Sequence, residues 1–571
     1  MTLGRAPDQG DLLRSTATFC ERKLSPTSIY SLLYRECHNL FPDDAFADLY
    51  EDIGRRSVPP RIVAVVMVLQ RLEGLSDREA VDRFTYDARW KYAAGGLDFE
   101  HDGFVHTVLV DMRARLRDSE RPDRIFHSVL AVAKQAGMVG RRRVLDSTPL
   151  YDAVATQDTV TMIRSAIRGL LRVSGELATE LRGVLKRDDD YAAAGKPVCD
   201  WEDKAARETL VDALACDAYA VLALLDGRTL SPEVTQAVAL VATVVGQDLE
   251  KTEDGLFRIA KRVAKDRVIS TVDPEARHGH KTAAHGFDGY KGHIAIDPDA
   301  ELITAAEVTA GNVADGSVAK KLIVDVVPEP QREAVPAATS PTEDAANPVG
   351  AVASSLANDV ELGAKSATSA PPAAPGIAAP AAEPVEVYGD ASYGTAENLL
   401  HLEAAGAVAN VKVQAPVAHN GHFTKDAFAI DLDKGTVTCP AGRLVQLRRR
   451  EDGSGVASFG VGCKTCPKAA SCTDSKEGRN IHINKDEAVL QRGRERQKSA
   501  EWRRNYKATR PKVERKLAHL MRRRHGGRRA RMRGRERVAQ DFLMLCAAVN
   551  LQRLARFELR SVDARELAAA A

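Results

Sequence analysis

No stretch of this 571-residue sequence is apolar for long enough to cross a bilayer. The longest run, Ile62 to Leu69, falls far short of the roughly 20 residues that a spanning helix needs. The opening MTLGRAPDQGDLL lacks the apolar core of a secretion signal, so the expectation is a cytoplasmic protein without membrane contact. Internal repeats are missing as well. Cysteine is scarce and odd in number, at nine; without an export signal that argues against a disulfide framework and for free thiols or a metal site. Acidic residues nearly vanish between Gln491 and Gln540, where 20 Lys or Arg stand against 4 Glu and no Asp, an excess of 16 positive charges inside a chain whose net charge is only +2. Such a density points to a polyanionic partner, because neutralising phosphates releases condensed counterions. The alternative is a solvated basic helix face.

What is present organises into about three or four units, since the chain is too long for one core. Residues 1–140 read as a helical domain. Within it, VPPRIVAVVMVLQRLEGL and SDREAVDRFTYDARWKYAAG form two amphipathic segments, with Asp43, Ser76 and Pro59–Pro60 as start signals and Gly74 as a stop. The pattern is compatible with a helix-turn-helix and equally with plain helical packing. At Arg141 the texture changes: RRRVLDSTPLYDAVAT opens a strand, helical periodicity returns over about 157–265 as an insert, and RVISTVDPEARHGHKTAAHGFDGYKGHIAIDPDAELITAAEVTAGN reads as further strands up to 327. The Ala-, Pro-, Ser- and Thr-rich stretch 328–384 reads as a linker. A strand–helix–strand unit follows over 385–415, then a cysteine-bearing insert over 416–485 and a basic helical end over 486–571.

The chemistry centres on acids. EVYGDASYG delivers Asp390 where a strand emerges, and VLDSTP delivers Asp146 at the expected C-terminal end of another. Two carboxylates at one sheet edge repel unless a cation holds them, and hard oxygen ligands suit Mg²⁺ or Mn²⁺. Asp152 competes with Asp146, which directly ends the apolar Val144–Leu145 run. Asp273, Asp288 and Asp315 read as turn formers beside Pro or Gly. In RPKVERKLAHL, Glu514 stands among basic residues, and Tyr506, Arg510 and Glu514 at four-residue spacing share one helix face. Glu514 is then a salt-bridged surface residue or a metal ligand. His278, His280, His285 and His293 alternate with Arg277, Lys281 and Lys291 on an expected hairpin, which favours phosphate contact or solvation over zinc. Trp502, amid Arg503, Arg504 and Tyr506, can stack on an unpaired base or pack in a core. Cys439, Cys463, Cys466 and Cys472, spaced C-x23-C-x2-C-x5-C, supply enough thiolates for a structural Zn²⁺ or are reduced thiols of a loop-rich insert. Cys20, Cys37, Cys199, Cys216 and Cys546 read as packing residues.

Taken in order, LDSTPLYDAVAT, DPEARHGHKTAAHGFDGYKGHIA, VTAGNVADG, YGDASYGTAEN and YKATRPKVERKLAHLMRRRHGGRRARMRGRERVAQDFLMLCAAVNLQRL resemble the DDE transposases of bacterial insertion sequences. The resemblance spans about residues 30 to 555. It implies an α/β fold: a ribonuclease-H-like mixed sheet with flanking helices, a helical N-terminal DNA-binding domain, a helical insert and a small cysteine-bearing insert. It implies Asp146, Asp390 and Glu514 as a triad binding Mg²⁺ or Mn²⁺, which cuts and joins DNA by phosphoryl transfer. Arg510 matches the family's signature along this helix, whereas Tyr506 lies one position further upstream than that signature, and Arg522 stands near the place of its Lys. The implied partners are double-stranded DNA, as terminal inverted repeats and target, and a second copy in the active complex; the protein would be nucleoid-associated when bound. A non-catalytic DNA-binding protein and a nuclease without strand transfer are the alternatives on the same scaffold.

Overall fold

The structure, a computed structural model, describes residues 1–5, 15–152, 156–189, 191–282, 285–328, 383–418 and 420–557. The linker expected over 328–384 falls, from 329 to 382, outside these residues. The first helices to matter are α1 (Ile29–Leu40), α2 (Pro60–Glu73) and α3 (Asp77–Tyr86). Pro60 opens α2 where no backbone donor is needed, and Gly74 closes it in the left-handed region at φ 71°. A side chain at Gly74 would start 2.4 Å from the carbonyl oxygen of Arg524, so the stop is also a close approach to the C-terminal segment. Ser76 starts α3 with a reciprocal cap: its backbone N–H donates to Glu79 Oε2 at 2.7 Å and its Oγ accepts from Glu79 N at 3.3 Å. Asp43, read as a start signal, begins only a short 3₁₀ segment, Asp43–Leu49, and its carboxylate accepts from Arg61 N at 2.9 Å at the head of α2. Nearly every residue of α2 is buried, which makes it the central helix of this region.

The main sheet has six strands: β1 (Arg142–Tyr151), β2 (Arg277–Thr282), β3 (His285–Asp297), β4 (Leu302–Ala310), β5 (Glu386–Gly389) and β6 (Val408–Val411). Their order is β2-β3-β1-β5-β6, with β4 also paired to β3. The β1–β3, β2–β3 and β3–β4 pairs are antiparallel, and β1–β5 and β5–β6 are parallel. The fold is thus mixed α/β with a ribonuclease-H-like core. Side chains alternate across each strand. Val144, Ile294 and Tyr388 enter one hydrophobic core, and Leu145, Ala295 and Val387 the other.

Between β1 and β2 the insert packs α4 (Thr159–Val173), α5 (Lys204–Leu225) and α6 (Pro232–Asp248) around a core of its own. After β6 the cysteine-bearing module forms two three-stranded sheets over a small core that includes Phe428, Val437, Phe459, Cys472 and Ile481. The chain then builds α7 (Ala500–Thr509), α8 (Pro511–Leu520) and α9 (Arg535–Arg556). The core on the Val144 face also takes in α1, α2, β4 and α9. Asn550 pins α9 to β4 through two hydrogen bonds, from Ile303 N to its Oδ1 and from its Nδ2 to Ile303 O, each 2.8 Å. Arg71 of α2 is buried against Asp541 of α9 at 2.9 Å.

Candidate active site

Asp146 does not end its strand, contrary to the sequence reading. β1 continues to Tyr151 because its β3 edge stays paired as far as Tyr151↔Gly289. What ends at Val144 is the pairing with β5, where Val144 lies opposite Tyr388. Two residues beyond that pair on each parallel strand stand Asp146 and Asp390. Period-two alternation therefore sends both carboxylates to the same face, side by side where the two strands part. Both line one cavity of about 380 Å³.

The helical segment α7–α8 lies over this face. Val513, Leu517 and Leu520 enter the core on the Val144 side, and Arg510, helical in conformation between α7 and α8, reaches down. Its guanidinium grips Asp146 with both arms, Nη2 to Oδ1 at 2.9 Å and Nη1 to Oδ2 at 3.0 Å. Glu514 stands one turn on, 3.8 Å from Arg510, with its side chain 61% exposed. Tyr506, a turn earlier, donates to the carbonyl of Gly389 at 3.2 Å and stacks on Trp502 with ring centroids 4.6 Å apart. The expected face shared by Tyr506, Arg510 and Glu514 is present, but it meets the acids through Arg510. The backbone N–H of Ser147 donates to Asp146 and that of Ser392 to Asp390, both at 2.9 Å. Burial pushes the Asp146 carboxyl above its ordinary range, and the Arg510 charge opposes that shift without cancelling it. Among the described residues no three His, Cys, Asp or Glu side chains are gathered tightly enough to hold a metal ion.

Asp315 is the site residue that the sequence reading missed. It begins a short 3₁₀ segment after β4, as a turn former can, yet its carboxylate also lines the cavity with Asp146 and Asp390. It accepts from Ser147 Oγ at 2.6 Å and from Lys291 Nζ at 2.8 Å. Its position five residues after β4, at the close of VTAGNVADG, was the available signal. Asp288, unlike Asp315, is no turn former: it lies inside β3 and meets His278 Nδ1 at 2.7 Å. Asp273 does lie in a bend and accepts from the Tyr290 hydroxyl at 2.7 Å. Asp152 follows β1 and donates its backbone N–H to Asp288 O at 2.9 Å. It does not line the cavity.

The basic candidates divide. Arg277 is tied to Asp266 at 2.9 Å and Lys291 to Asp315, whereas Lys281, Arg503, Arg504 and Arg522 are exposed. Of the four histidines, His278 and His280 sit together on β2, His285 is exposed, and His293 is fully buried between Thr309 and Tyr393. Burial pushes His293 down to about 4. All nine cysteines are free thiols. Cys439, Cys463, Cys466 and Cys472 line one small cavity with Phe428, Phe459 and Arg479, and burial raises the Cys472 thiol, its three companions adding to the effect.

A mixed sheet with two carboxylates at the divergence of parallel strands, and an acid on a helix laid across them, suits the class of metal-assisted phosphoryl-transfer enzymes. The comparisons narrow the class. Residues 21–115 match a family described as a transposase domain (DUF772), and residues 256–331 and 438–555 match two families each described as a transposase DDE domain. Three segments of the chain thus match transposase domains, two of them DDE domains, which supports a DDE transposase of an insertion sequence. Lys291 and Asp315 fall within the second match, and all four module cysteines, Arg510 and Glu514 within the third; Asp146 and Asp390 lie outside all three. An uncharacterized protein, ORF8 in the nfe locus of Rhizobium meliloti, is 26% identical over 145 residues, which cover 24% of this chain and 70% of that protein. No solved structure matches. Among the described residues no helix is long and apolar enough to cross a membrane.

Proposed function

We propose that the protein cuts DNA at the ends of its own mobile element and joins them to a target, with Asp146, Asp390 and Glu514 as the acids of the site. The observation that carries this reading is the matched register of Asp146 and Asp390 beyond the Val144–Tyr388 pair, with the Glu514 helix across them. Oxygen donors in a cavity of this size suit Mg²⁺ or Mn²⁺ with water and phosphate in the remaining positions. A buried carboxyl raised above its usual range, with one arginine as counterion, has reason to accept a stronger cation. Bound divalent ions would activate the attacking water or 3′-hydroxyl and stabilise the leaving oxygen. The chain's own part is positional. Asp146 and Asp390 are oriented by the N–H groups of Ser147 and Ser392. Arg510, once it shares Asp146 with a metal, is free to turn one arm to Glu514 or to a phosphate. Lys291, braced by Asp315, presents positive charge at the far wall. Terminal inverted repeats and target DNA are the partners, and joining two ends calls for two copies of the chain.

Asp390→Ala is the test: it should abolish Mg²⁺-dependent cleavage and strand transfer of a DNA end while leaving binding intact. Joining retained in that variant overturns the assignment. Cleavage without strand transfer by the wild-type protein would make it a nuclease, and binding without either a non-catalytic relative.

The module's thiols extend the proposal to a structural Zn²⁺. Four cysteines share one cavity beneath a core too small to hold the module alone, although their sulfurs must draw in to reach the Zn–S distance of about 2.3 Å. Elemental analysis of protein purified without chelator should find one zinc per chain, lost in Cys463→Ser/Cys466→Ser. Zinc-free wild-type protein removes this part of the proposal.

A further inference from the structure

A hollow of about 680 Å³ lies between the helical insert and the C-terminal segment, apart from the carboxylates. Among the described residues its wall carries Arg168 and Arg172 of α4, Arg182 and Arg533, and no Asp or Glu. The wall is held in shape. Arg164 bonds Asp189 at 2.7 and 2.8 Å and the carbonyl of Ala193 at 2.6 Å, and Arg168 bonds Ala193 O at 3.2 Å, so this loop is clamped onto α4. Tyr191, held at φ 53°, sinks its hydroxyl onto Asp217 at 2.7 Å. Tyr191 lines the hollow, but only 1% of the residue is exposed. Arg172 and Arg533 are exposed and have no hydrogen-bond or ion-pair partner among the described residues.

Exposed guanidiniums such as those of Arg172 and Arg533, on one wall and without bonded partners among the described residues, gain most from phosphate oxygens, which their planar forks meet two at a time. Among the described residues the wall offers no exposed aromatic ring to stack a base and no carboxylate for a ribose hydroxyl, which disfavours a free nucleotide. Arg533 belongs to the segment Gln491–Gln540 with its excess of 16 positive charges, so the hollow extends an already polyanion-seeking surface. We infer that it seats the sugar-phosphate backbone of a DNA duplex, which makes the helical insert a second grip on DNA. The inference rests on DNA being the partner, as in the proposed function, and locates a contact that the acids do not provide.

The test reads binding alone. Full-length protein in EDTA is titrated with a fluorescein-labelled duplex of mixed sequence across about 50 to 200 mM salt. Arg172→Ala/Arg533→Ala should weaken binding about tenfold at the upper salt and lower the slope of log affinity against log salt by roughly one unit per contact removed. Both side chains are exposed, and an unchanged circular-dichroism melt checks the fold. Independently, phenylglyoxal labelling of wild-type protein, read by mass spectrometry, should spare Arg172 and Arg533 when the duplex is bound. Wild-type affinity and slope in the double variant, or labelling unchanged by DNA, overturns the inference, as does protection by inorganic phosphate equal to that by the duplex. Loss of Mg²⁺-dependent joining is not read here, so failure of the hollow and failure of the catalytic reading are told apart. A wild-type protein that binds no duplex sinks both.

Discussion

Arg510→Ala removes the one cation that bonds Asp146 among the described residues, and the structure sets the scale of the effect. Both partners are largely buried, with side chains 9% and 13% exposed, and the contact is two-armed. Breaking such a pair by deleting one member leaves a charge with little solvent, which costs about 3–5 kcal/mol when burial is complete. The residual exposure of Asp146 argues for the lower end, about 3 kcal/mol. In a cooperative unit of 150–250 residues each kcal/mol lowers Tm by about 2–4 °C, so the variant should melt roughly 6–12 °C below wild type in EDTA at pH 7. The pH dependence has a definite sign. Burial raises the Asp146 carboxyl in the folded protein, and without Arg510 it rises further. Proton uptake by the folded state then relieves the variant, so its deficit should narrow as the pH falls toward 5. Arg510→Lys, which keeps the charge without the fork, should fall between the two. Differential scanning calorimetry in EDTA, repeated with Mg²⁺, is the assay; added Mg²⁺ should recover more of the variant's loss than it adds to wild type. A variant that melts within about 2 °C of wild type in EDTA refutes the claim that this pair neutralises a buried charge.

Lys516 is buried in α8 and pushed down to about 8, by burial first and the charge of Arg553 next. Its penalty is therefore present in full below pH 8 and fades as the pH rises from there toward the ordinary value. Lys516→Met should raise stability at pH 7 by about 2 kcal/mol, and the difference from wild type should shrink by pH 10, as denaturant titrations would read; equal stability at pH 7 counts against a desolvated ammonium. Asn550→Ala leaves the buried N–H and C=O of Ile303 without partners and should cost about 2–4 kcal/mol, with a matching drop in the denaturation midpoint at unchanged m-value.

The legible part of this protein was local. Proline, glycine and serine at 59–60, 74 and 76 fixed α2 and α3 because each acts through its own backbone. The apolar runs before Asp146 and Asp390 were enough to place the first acid on a strand and the second at the end of one. The extent of β1 was not legible: Ser147, Thr148 and Pro149 look like a turn, and they stay extended only because β3 pairs with them from more than a hundred residues away. Asp315 escaped for the same reason, since its partners Ser147 and Lys291 lie 168 and 24 residues distant. The strands of the cysteine module are two to four residues long, too short for alternation to show. Nor could composition reveal that four arginines from α4, its following helix and the segment before α9 surround one hollow.

The joint core of α2, the main sheet and α9 constrains the birth of the protein as well as its shape. Arg71 bonds the backbone of His525, 454 residues downstream, and Gly74 leaves room for Arg524. During synthesis the apolar length of α2 therefore waits, bare, until almost the whole message has been read. A prematurely terminated product never covers that surface and becomes a client of chaperones and proteases. Only a chain translated through α9 can close the core on which the Val144 face of the sheet rests.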